Sequence, residues 1–282
     1  LLHDPNTPLF PRAHAGEFPS GSTIKPINAA SALIEGIIDA KSSFPSTGGI
    51  RIDQWFFPDW RAGGHGITDV YHAISDSVNT FFYMIGGGKD DFDGLGIEKM
   101  MEYAYNFGFG RTTGLDLPGE ADGFLPSKEW KMQAKDEIWY IGDTYHAAIG
   151  QGDFLATPLQ IAQSTAIFAN NGALITPHLN LQAQTYAENV IDTEIAGIIR
   201  DAMRRTVTRG TARSLNSLPI TSAGKTGTAQ WSSTRPNHAW YTGFAPFEEP
   251  EIVVTVLIEE GADDYLAVPV ASDIINWWAE NK

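Results

Sequence analysis

Three short strings in this chain combine hydroxyl, amine and amide side chains at spacings that chemistry can use. Ser22-Thr23-Ile24-Lys25 sets a serine and a lysine three residues apart, and on a helix that spacing brings both side chains to one face. A serine hydroxyl is a poor nucleophile until a base takes its proton, and a lysine amine is such a base when desolvation or a second cation lowers its pKa. If Ser22 opens the helix, the unpaired backbone N–H groups of the first turn are also at hand to hold an oxyanion. Ser77-Val78-Asn79 offers a hydroxyl that can relay a proton and an amide that can bind a peptide group. Lys225-Thr226-Gly227-Thr228 offers a cation and two hydroxyls to a carboxylate, with a glycine of the kind that marks close approach of a ligand or another backbone.

Each string alone is weak. Ser222-Ala223-Gly224-Lys225 also fits the first pattern and Ser214-Leu215-Asn216 the second. A helix cap, a polar helix junction and a turn between strands account for the three strings without any chemistry. Their weight comes from occurring together, in this order, each in a context that suits it: a helix start, a helix junction and a strand.

Those contexts follow from the surrounding pattern. Residues 1–20 hold four prolines and no apolar period, an extended lead-in. Ser22 opens a segment in which Ile24, Ile27, Ala30 and Leu33 or Ile34 recur at helical spacing, with Pro26 in the tolerated first turn. Residues 41–68 are rich in Gly, Pro, Ser and Trp and read as a long irregular stretch of the kind that borders functional sites. Residues 69–85 read as a helix, a polar break at Ser75–Asn79 and a second apolar run; 97–109 are helical, and 110–130 are a Gly/Pro-rich connection. Thr157 caps a helix with Pro158 at its first position, which stops at Asn170-Asn171-Gly172. Ile195, Ile198, Ile199, Ala202, Met203 and Val207 line one face of another, closed by Gly210. From about residue 220 three strands follow, the last two joined by a turn around Pro246–Pro250, and a terminal helix begins near Pro269. Helices first, then an antiparallel strand cluster, then one helix predict an α/β domain of the α+β type, its sheet flanked by helices.

Composition removes other classes. The 282 residues allow one large domain or two small ones. With 43% apolar and only 19% charged residues the chain is globular. Lys+Arg total 19 against 34 Asp+Glu, a net charge of −15, which argues against nucleic acid as a partner. There is no cysteine, hence no disulfide, thiol nucleophile or Cys-type zinc site. The longest run without Asp, Glu, Lys or Arg, Phe154 to Ala187, is broken by prolines, amides and a glycine and is no membrane span. No signal peptide is visible, so any targeting segment has been removed or lies outside this sequence. Trp55, Phe56, Phe57 and Trp60 suit a lid or a partner surface but read first as core, and Trp277 and Trp278 as one buried and one partly exposed ring.

The joint motifs resemble those of the transpeptidase domain of class B penicillin-binding proteins, of the penicillin-binding protein 2 type that serves cell elongation and cell shape. GSTIKP, the Arg61-Ala62-Gly63-Gly64-His65-Gly66 stretch, SVNTFFY, GFGRTTGLDLPGE, AIGQGDFLATPLQIA, RGTA, AGKTGTAQ and HAWYTGFAP all resemble family segments, from about residue 4 to residue 270. The resemblance implies the penicillin-binding transpeptidase and serine β-lactamase-like fold. It implies that Ser22 is acylated by the D-Ala-D-Ala end of a peptidoglycan stem peptide, or by a β-lactam that mimics it, and that Lys25 is the base. Ser77 would pass protons, Asn79 would hold the acyl-side amide, and Lys225, Thr226 and Thr228 would bind the carboxylate beside Gly227. The backbone N–H groups of Ser22 and Thr228 would form the oxyanion hole, and an amine of a neighbouring stem peptide would take the acyl group. Expected partners are stem peptides, β-lactams and proteins of the elongation machinery. The expected place is the outer, periplasmic face of the cytoplasmic membrane, with no cofactor.

Two departures qualify the resemblance. The family's domain normally follows one or two sheet strands, a non-catalytic module and a membrane anchor; none is recognisable ahead of Leu1, so residues 1–282 read as a single transpeptidase domain cut from a longer protein. Some members hold zinc through Asp, His and Cys. Asp59 and His65 match part of that set, but Val78 stands where the cysteine would be, so no metal site is expected and His65 reads as a hydrogen-bonded loop residue. A class A β-lactamase would need a Glu-x-x-Leu-Asn string, which is absent. A D,D-carboxypeptidase shares the three motifs and differs in using water as acceptor; a β-lactam sensor or a silent scaffold are the non-enzymatic alternatives.

Overall fold

The structure is a computed structural model and describes residues 4, 7–262 and 266–282. The expected lead-in at 1–20 therefore lies partly outside the described residues. Its described part carries a short helix, α1 (Arg12–Ala15), and Phe18, which pairs with Ala156. A 3-10 turn, Gly21–Ile24, then runs without a break into α2 (Lys25–Ile34).

Residues 41–68, expected to be irregular, form β1 (Ser43–Ser46), β2 (Gly49–Ile52), β3 (Trp55–Pro58) and β4 (Gly66–Asp69). β1 pairs with β4 and β2 with β3, both antiparallel. Four-residue strands are too short to show an alternating apolar pattern, which is why the sequence hides them. The polar break anticipated after residue 69 separates α3 (Val70–Ser75) from α4 (Asn79–Gly87). α5 (Gly96–Asn106) follows, and then two helices the sequence reading passes over, α6 (Lys128–Lys135) and α7 (Ile141–Ala148). α6 has almost no apolar face; Ser127 starts it by accepting from the Trp130 N–H at 3.0 Å, and buried Lys131 ties it to Asp143 of α7 at 2.7 Å.

α8 (Pro158–Ala169) begins as its cap residues require. Thr157 Oγ1 accepts from the Gln160 N–H at 3.1 Å and Gln160 Oε1 accepts from the Thr157 N–H at 2.9 Å, a reciprocal box that contributes about 1 kcal/mol. A short pair, β5 (Ala173–Ile175) and β6 (Ala187–Asn189), leads to α9 (Thr193–Thr208) and a second 3-10 turn, Arg213–Ser217. The main sheet closes the chain: β7 (Ala223–Ala229), β8 (His238–Ala245) and β9 (Ile252–Ile258), antiparallel in the order β7-β8-β9, then α10 (Ala267–Asn281). α10 starts two residues before the expected Pro269.

β8 is buried along its whole length. Trp240 and Phe244 enter a large core shared with α2, α4, α8 and α9, whereas Ala239, Tyr241 and Ala245 enter a second core with Val254, Val256 and the α10 residues Ala267, Val268, Ala271 and Ile275. The period of two along one strand thus divides it between two apolar layers. Helices cover both faces of an antiparallel sheet, as the sequence predicts.

The aromatic expectations fail in part. Trp55, Phe56 and Trp60 are 64%, 50% and 60% exposed; the first two stand on the β2–β3 hairpin, whose two strands pair only with each other among the described residues, and Trp60 follows it in the loop. Only Phe57 turns inward, edge-on to Tyr145 at 4.9 Å. At the C-terminus Trp277 is exposed and Trp278 half-buried, so neither ring is buried.

Candidate active site

Ser22 sits in the 3-10 turn ahead of α2, half-buried, and its carbonyl accepts from the Lys25 N–H. The turn lies against β7. Gly21 has φ +51°, and a Cβ there would meet the Thr228 carbonyl oxygen at 2.5 Å, so only glycine lets the turn come this close to the strand. A Cβ on Gly227 would meet Thr23 Cγ2 at 3.0 Å. What Gly227 admits here is the Ser22 turn itself.

The junction between α3 and α4 is held by a residue from β3's end. Asp59 is buried and accepts from the backbone N–H groups of Asn79 and Thr80, both at 3.1 Å. It also accepts from the hydroxyls of Thr80 at 2.8 Å and Ser46 at 3.1 Å, and from the Trp60 N–H at 2.9 Å. Val78 has no side chain to cap α4, and the Asp59 carboxylate performs that task from a distance, with the helix dipole in its favour. Burial raises the Asp59 pKa, but the hydrogen bonds from Thr80 and Asn79 and the Lys25 charge outweigh it and leave it below the usual value. The residue before Val78, Ser77, is bent into the left-handed region at φ +56°, a conformation that costs a non-glycine residue about 1 kcal/mol or more.

Ser77 is the meeting point of two buried lysines, both 0% exposed. Lys225 Nζ donates to Ser77 Oγ at 2.9 Å and to the Thr226 carbonyl at 2.8 Å. Lys25 Nζ lies 3.3 Å from the same Ser77 Oγ, 2.8 Å from the Ser77 carbonyl and 2.6 Å from Asn79 Oδ1. Burial first, then the Lys225 charge, holds the Lys25 pKa well below the ordinary lysine value, with Asp59 pulling weakly the other way. Lys25, Ser77, Asn79 and Lys225, drawn from three separate strings of the sequence, thus form one hydrogen-bonded cluster. The lowered Lys25 pKa favours the neutral amine beside the Ser77 hydroxyl, and the chemistry this makes available is proton transfer between the two.

β7 supplies the remaining predicted residues. Thr226 is buried, and its hydroxyl shares a 2.7 Å hydrogen bond with that of Thr211. Thr211 is anchored by its N–H to the Ser75 carbonyl at 3.1 Å. Thr211 lies in the RGTA string that carries part of the resemblance, but nothing in its residue type or spacing marks it as a site residue. Thr228, half-buried, faces the Ser22 turn, and its carbonyl accepts from Gln151 Nε2 at 3.1 Å.

His65 Nε2 stands 3.7 Å from Asp59 Oδ1 and makes no hydrogen bond, although it is buried. His65 is a hydrogen-bonded loop residue through its backbone N–H, which donates to Ser46, while its ring Nε2 has no hydrogen-bond partner among the described residues. Among the described residues no three His, Cys, Asp or Glu side chains converge. The Asp59 oxygens are occupied by five donors and Val78 is sealed in the core, so these residues do not fit a tetrahedral zinc site. No helix among the described residues is long and apolar enough to cross a membrane.

Comparison with known proteins agrees with this geometry. The family model of the penicillin binding protein transpeptidase domain matches residues 3–276. The peptidoglycan D,D-transpeptidase MrdA of Acinetobacter baumannii is 36% identical over 300 residues, covering 96% of this chain and 44% of the relative. A structure of the complex between PBP2 and MreC from Helicobacter pylori superposes with a TM-score of 0.90 at 33% identity, covering 100% of this chain and 53% of that one. Pseudomonas aeruginosa PBP2 in complex with WCK 5153 gives a TM-score of 0.88 at 34% identity, covering 99% and 64%. The chain spans about half the length of the curated relatives it matches. With the three motifs folded into one cluster and these likenesses over nearly all of its length, the chain belongs to the penicillin-binding protein transpeptidase family, on its PBP2 and MrdA branch.

Proposed function

We propose that this chain carries the D,D-transpeptidase chemistry of peptidoglycan cross-linking, through an acyl-enzyme on Ser22. The observation that carries the reading is the convergence of Lys25 and Lys225 on the Ser77 hydroxyl, at 3.3 and 2.9 Å. Lys225 donates to that oxygen, which leaves the hydroxyl proton free to point at Lys25. Burial and the Lys225 charge both lower the Lys25 pKa and so favour the neutral amine, the form that can accept a proton.

Neutral Lys25 takes the Ser22 proton as Oγ attacks the carbonyl of the penultimate D-Ala. The oxyanion is held by the Ser22 and Thr228 N–H groups. Collapse of the adduct breaks the peptide bond, and the proton passes from Lys25 through Ser77 to the departing D-Ala amine. An amine of a second stem peptide then attacks the ester carbonyl and gives up a proton to Lys25; the new amide forms as the ester C–O bond breaks, and Lys25 returns the proton to Ser22 Oγ. Asn79 holds the acyl-side amide; Lys225, Thr226 and Thr228 receive the terminal carboxylate, and Gly227 keeps the strand and the Ser22 turn in register. A β-lactam enters the same path and stops at the ester, which makes it an inhibitor. The complex of the related PBP2 with MreC supports proteins of the elongation machinery as partners, and the names of the curated relatives support work on the outer side of the cytoplasmic membrane.

The test is the intact mass of the chain after incubation with a penicillin, for the parent and Ser22→Ala, followed over hours. A single stable adduct on the parent alone is expected. An adduct of equal yield on Ser22→Ala overturns the assignment, and rapid loss of the adduct points to hydrolysis. Stem-peptide substrates with an amine acceptor then distinguish cross-linking from release of D-Ala to water and from a sensor that never turns over.

A further inference from the structure

We infer that Gln151 is a positioning residue that sets the spacing between the two N–H groups of the oxyanion hole, an inference that rests on the acyl-transfer reading above. The two donors belong to separate elements: Ser22 to the 3-10 turn, Thr228 to β7. Among the described residues β7 is paired by a strand on one side only, to β8. On its other side the side-chain amide of Gln151 takes the place of a missing strand. Its Nε2 donates to the Thr228 carbonyl at 3.1 Å, and its Oε1 accepts from the Gln230 N–H at 3.1 Å. Donating at one residue and accepting two residues further on is what the peptide groups of a neighbouring strand do.

The residue before it grips the other half of the hole. The Gly150 carbonyl accepts from the Gly21 N–H at 2.9 Å, and Gly21 is joined directly to Ser22. One dipeptide is therefore bonded to the backbone beside each oxyanion donor. It is itself tethered to the end of α7, by the Gly150 N–H to the Ala147 carbonyl at 3.0 Å and the Gln151 N–H to the His146 carbonyl at 2.9 Å. The fit leaves no slack, since Gly150 has φ +73° and a Cβ there would meet the Gly21 carbonyl oxygen at 2.0 Å.

The consequence is specific to the chemical step. A donor pair aimed at an oxyanion acts on the tetrahedral state and little on the bound ground state. A misplacement near 1 Å is worth roughly 100-fold in rate. Removing the Gln151 amide frees β7 to drift from the Ser22 turn and slows bond formation without weakening initial binding. The opposite reading is a gate: the Thr228 carbonyl is a natural acceptor for a substrate amide, and a Gln151 that merely blocked it would, once removed, speed acylation.

The experiment uses the chain as it stands, with Gln151→Met and Gln151→Asn, the second keeping a polar amide too short to span both bonds. Stopped-flow acylation by a fluorescent penicillin separates the pre-covalent dissociation constant from the first-order acylation rate. A peptidyl boronic acid, whose adduct on Ser22 is tetrahedral, gives an equilibrium measure of the same hole. The expected result is a 10- to 100-fold fall in the acylation rate, a matching loss of boronate affinity, and a pre-covalent constant within about twofold of the parent. An unchanged or faster acylation rate overturns the inference, as does an effect confined to the pre-covalent constant. If Gln151→Met does not fold, the same readings on Gln151→Asn decide. Failure of the parent itself to acylate strikes the underlying reading instead.

Discussion

Lys225 Nζ donates to the Ser77 hydroxyl at 2.9 Å across 148 residues of sequence. The bond brings the cation of β7 to the helix junction and places a positive charge where it disfavours a second one on Lys25. In the proposed reaction, recognition of a carboxylate and activation of the base are thereby linked through one serine.

The link has a pH signature. If Lys25 is the base, as proposed, acylation requires its neutral form, and the expected rate rises with pH and levels off below the ordinary lysine value of 10.5. Lys225→Met removes the second cause of the depressed pKa while Asp59 remains. The rising limb of the pH–rate profile for penicillin acylation then moves to higher pH, in addition to a rise in the pre-covalent dissociation constant. A limb that stays in place in Lys225→Met refutes the electrostatic link.

Ser77 tests strain separately from chemistry. Ser77→Ala and Ser77→Gly both lose the hydroxyl and slow acylation by roughly 100-fold or more, the usual scale of a proton relay. Only the glycine variant is relieved of the φ +56° conformation, so thermal or urea unfolding finds Ser77→Gly more stable than Ser77→Ala by about 1 kcal/mol.

Asp59→Asn keeps size and loses an acceptor. Its amide turns N–H groups toward donors that now point at a carboxylate oxygen, among Asn79, Thr80 and Ser46. A loss of about 2–4 kcal/mol in urea unfolding is expected. The folded Asp59 pKa lies below its usual value of 3.8. Its stabilisation is therefore complete above the unfolded pKa and lost as pH falls through the folded one. An acid limb of the same size in Asp59→Asn as in the parent excludes Asp59 as its source.

Gly21→Ala places a Cβ 2.5 Å from the Thr228 oxygen in a left-handed backbone. The turn must retreat from β7, and adduct formation by intact mass falls by at least tenfold while the circular dichroism of the fold persists. Full acylation by this variant shows the close approach to be dispensable.

Residue type and order make the three motifs legible in the sequence, because a nucleophile, its base and a carboxylate-binding strand each demand particular side chains. The long helices and the main sheet are equally legible, since α8, α9 and β7 to β9 carry caps, apolar faces and alternation. What stays hidden depends on approach in space. Nothing in the spacing of Asp59 from Asn79 says that one caps the helix of the other, and nothing near Gln151 marks its amide as a substitute strand. α6 escapes because its inward residue is an ion-paired lysine, and the β2–β3 aromatics mislead because large rings are usually buried. The missing cysteine at Val78 is a negative sign legible in the sequence, and the five bonds to Asp59 show what that carboxylate does here.

β8 also decides how the molecule comes apart. Trp240 and Phe244 belong to one apolar layer, Tyr241 and Ala245 to the other, and the residues alternate along a single backbone. Neither layer can melt without withdrawing side chains that the other needs, so the two are thermodynamically one cooperative unit. The fluorescence change lost on Trp240→Phe, which isolates the contribution of the first layer from that of the other seven tryptophans, and far-ultraviolet circular dichroism, which reports the helices and strands together, should trace coincident unfolding curves. The catalytic cluster, pinned to β7 beside this shared strand, would then be lost in one step with the fold.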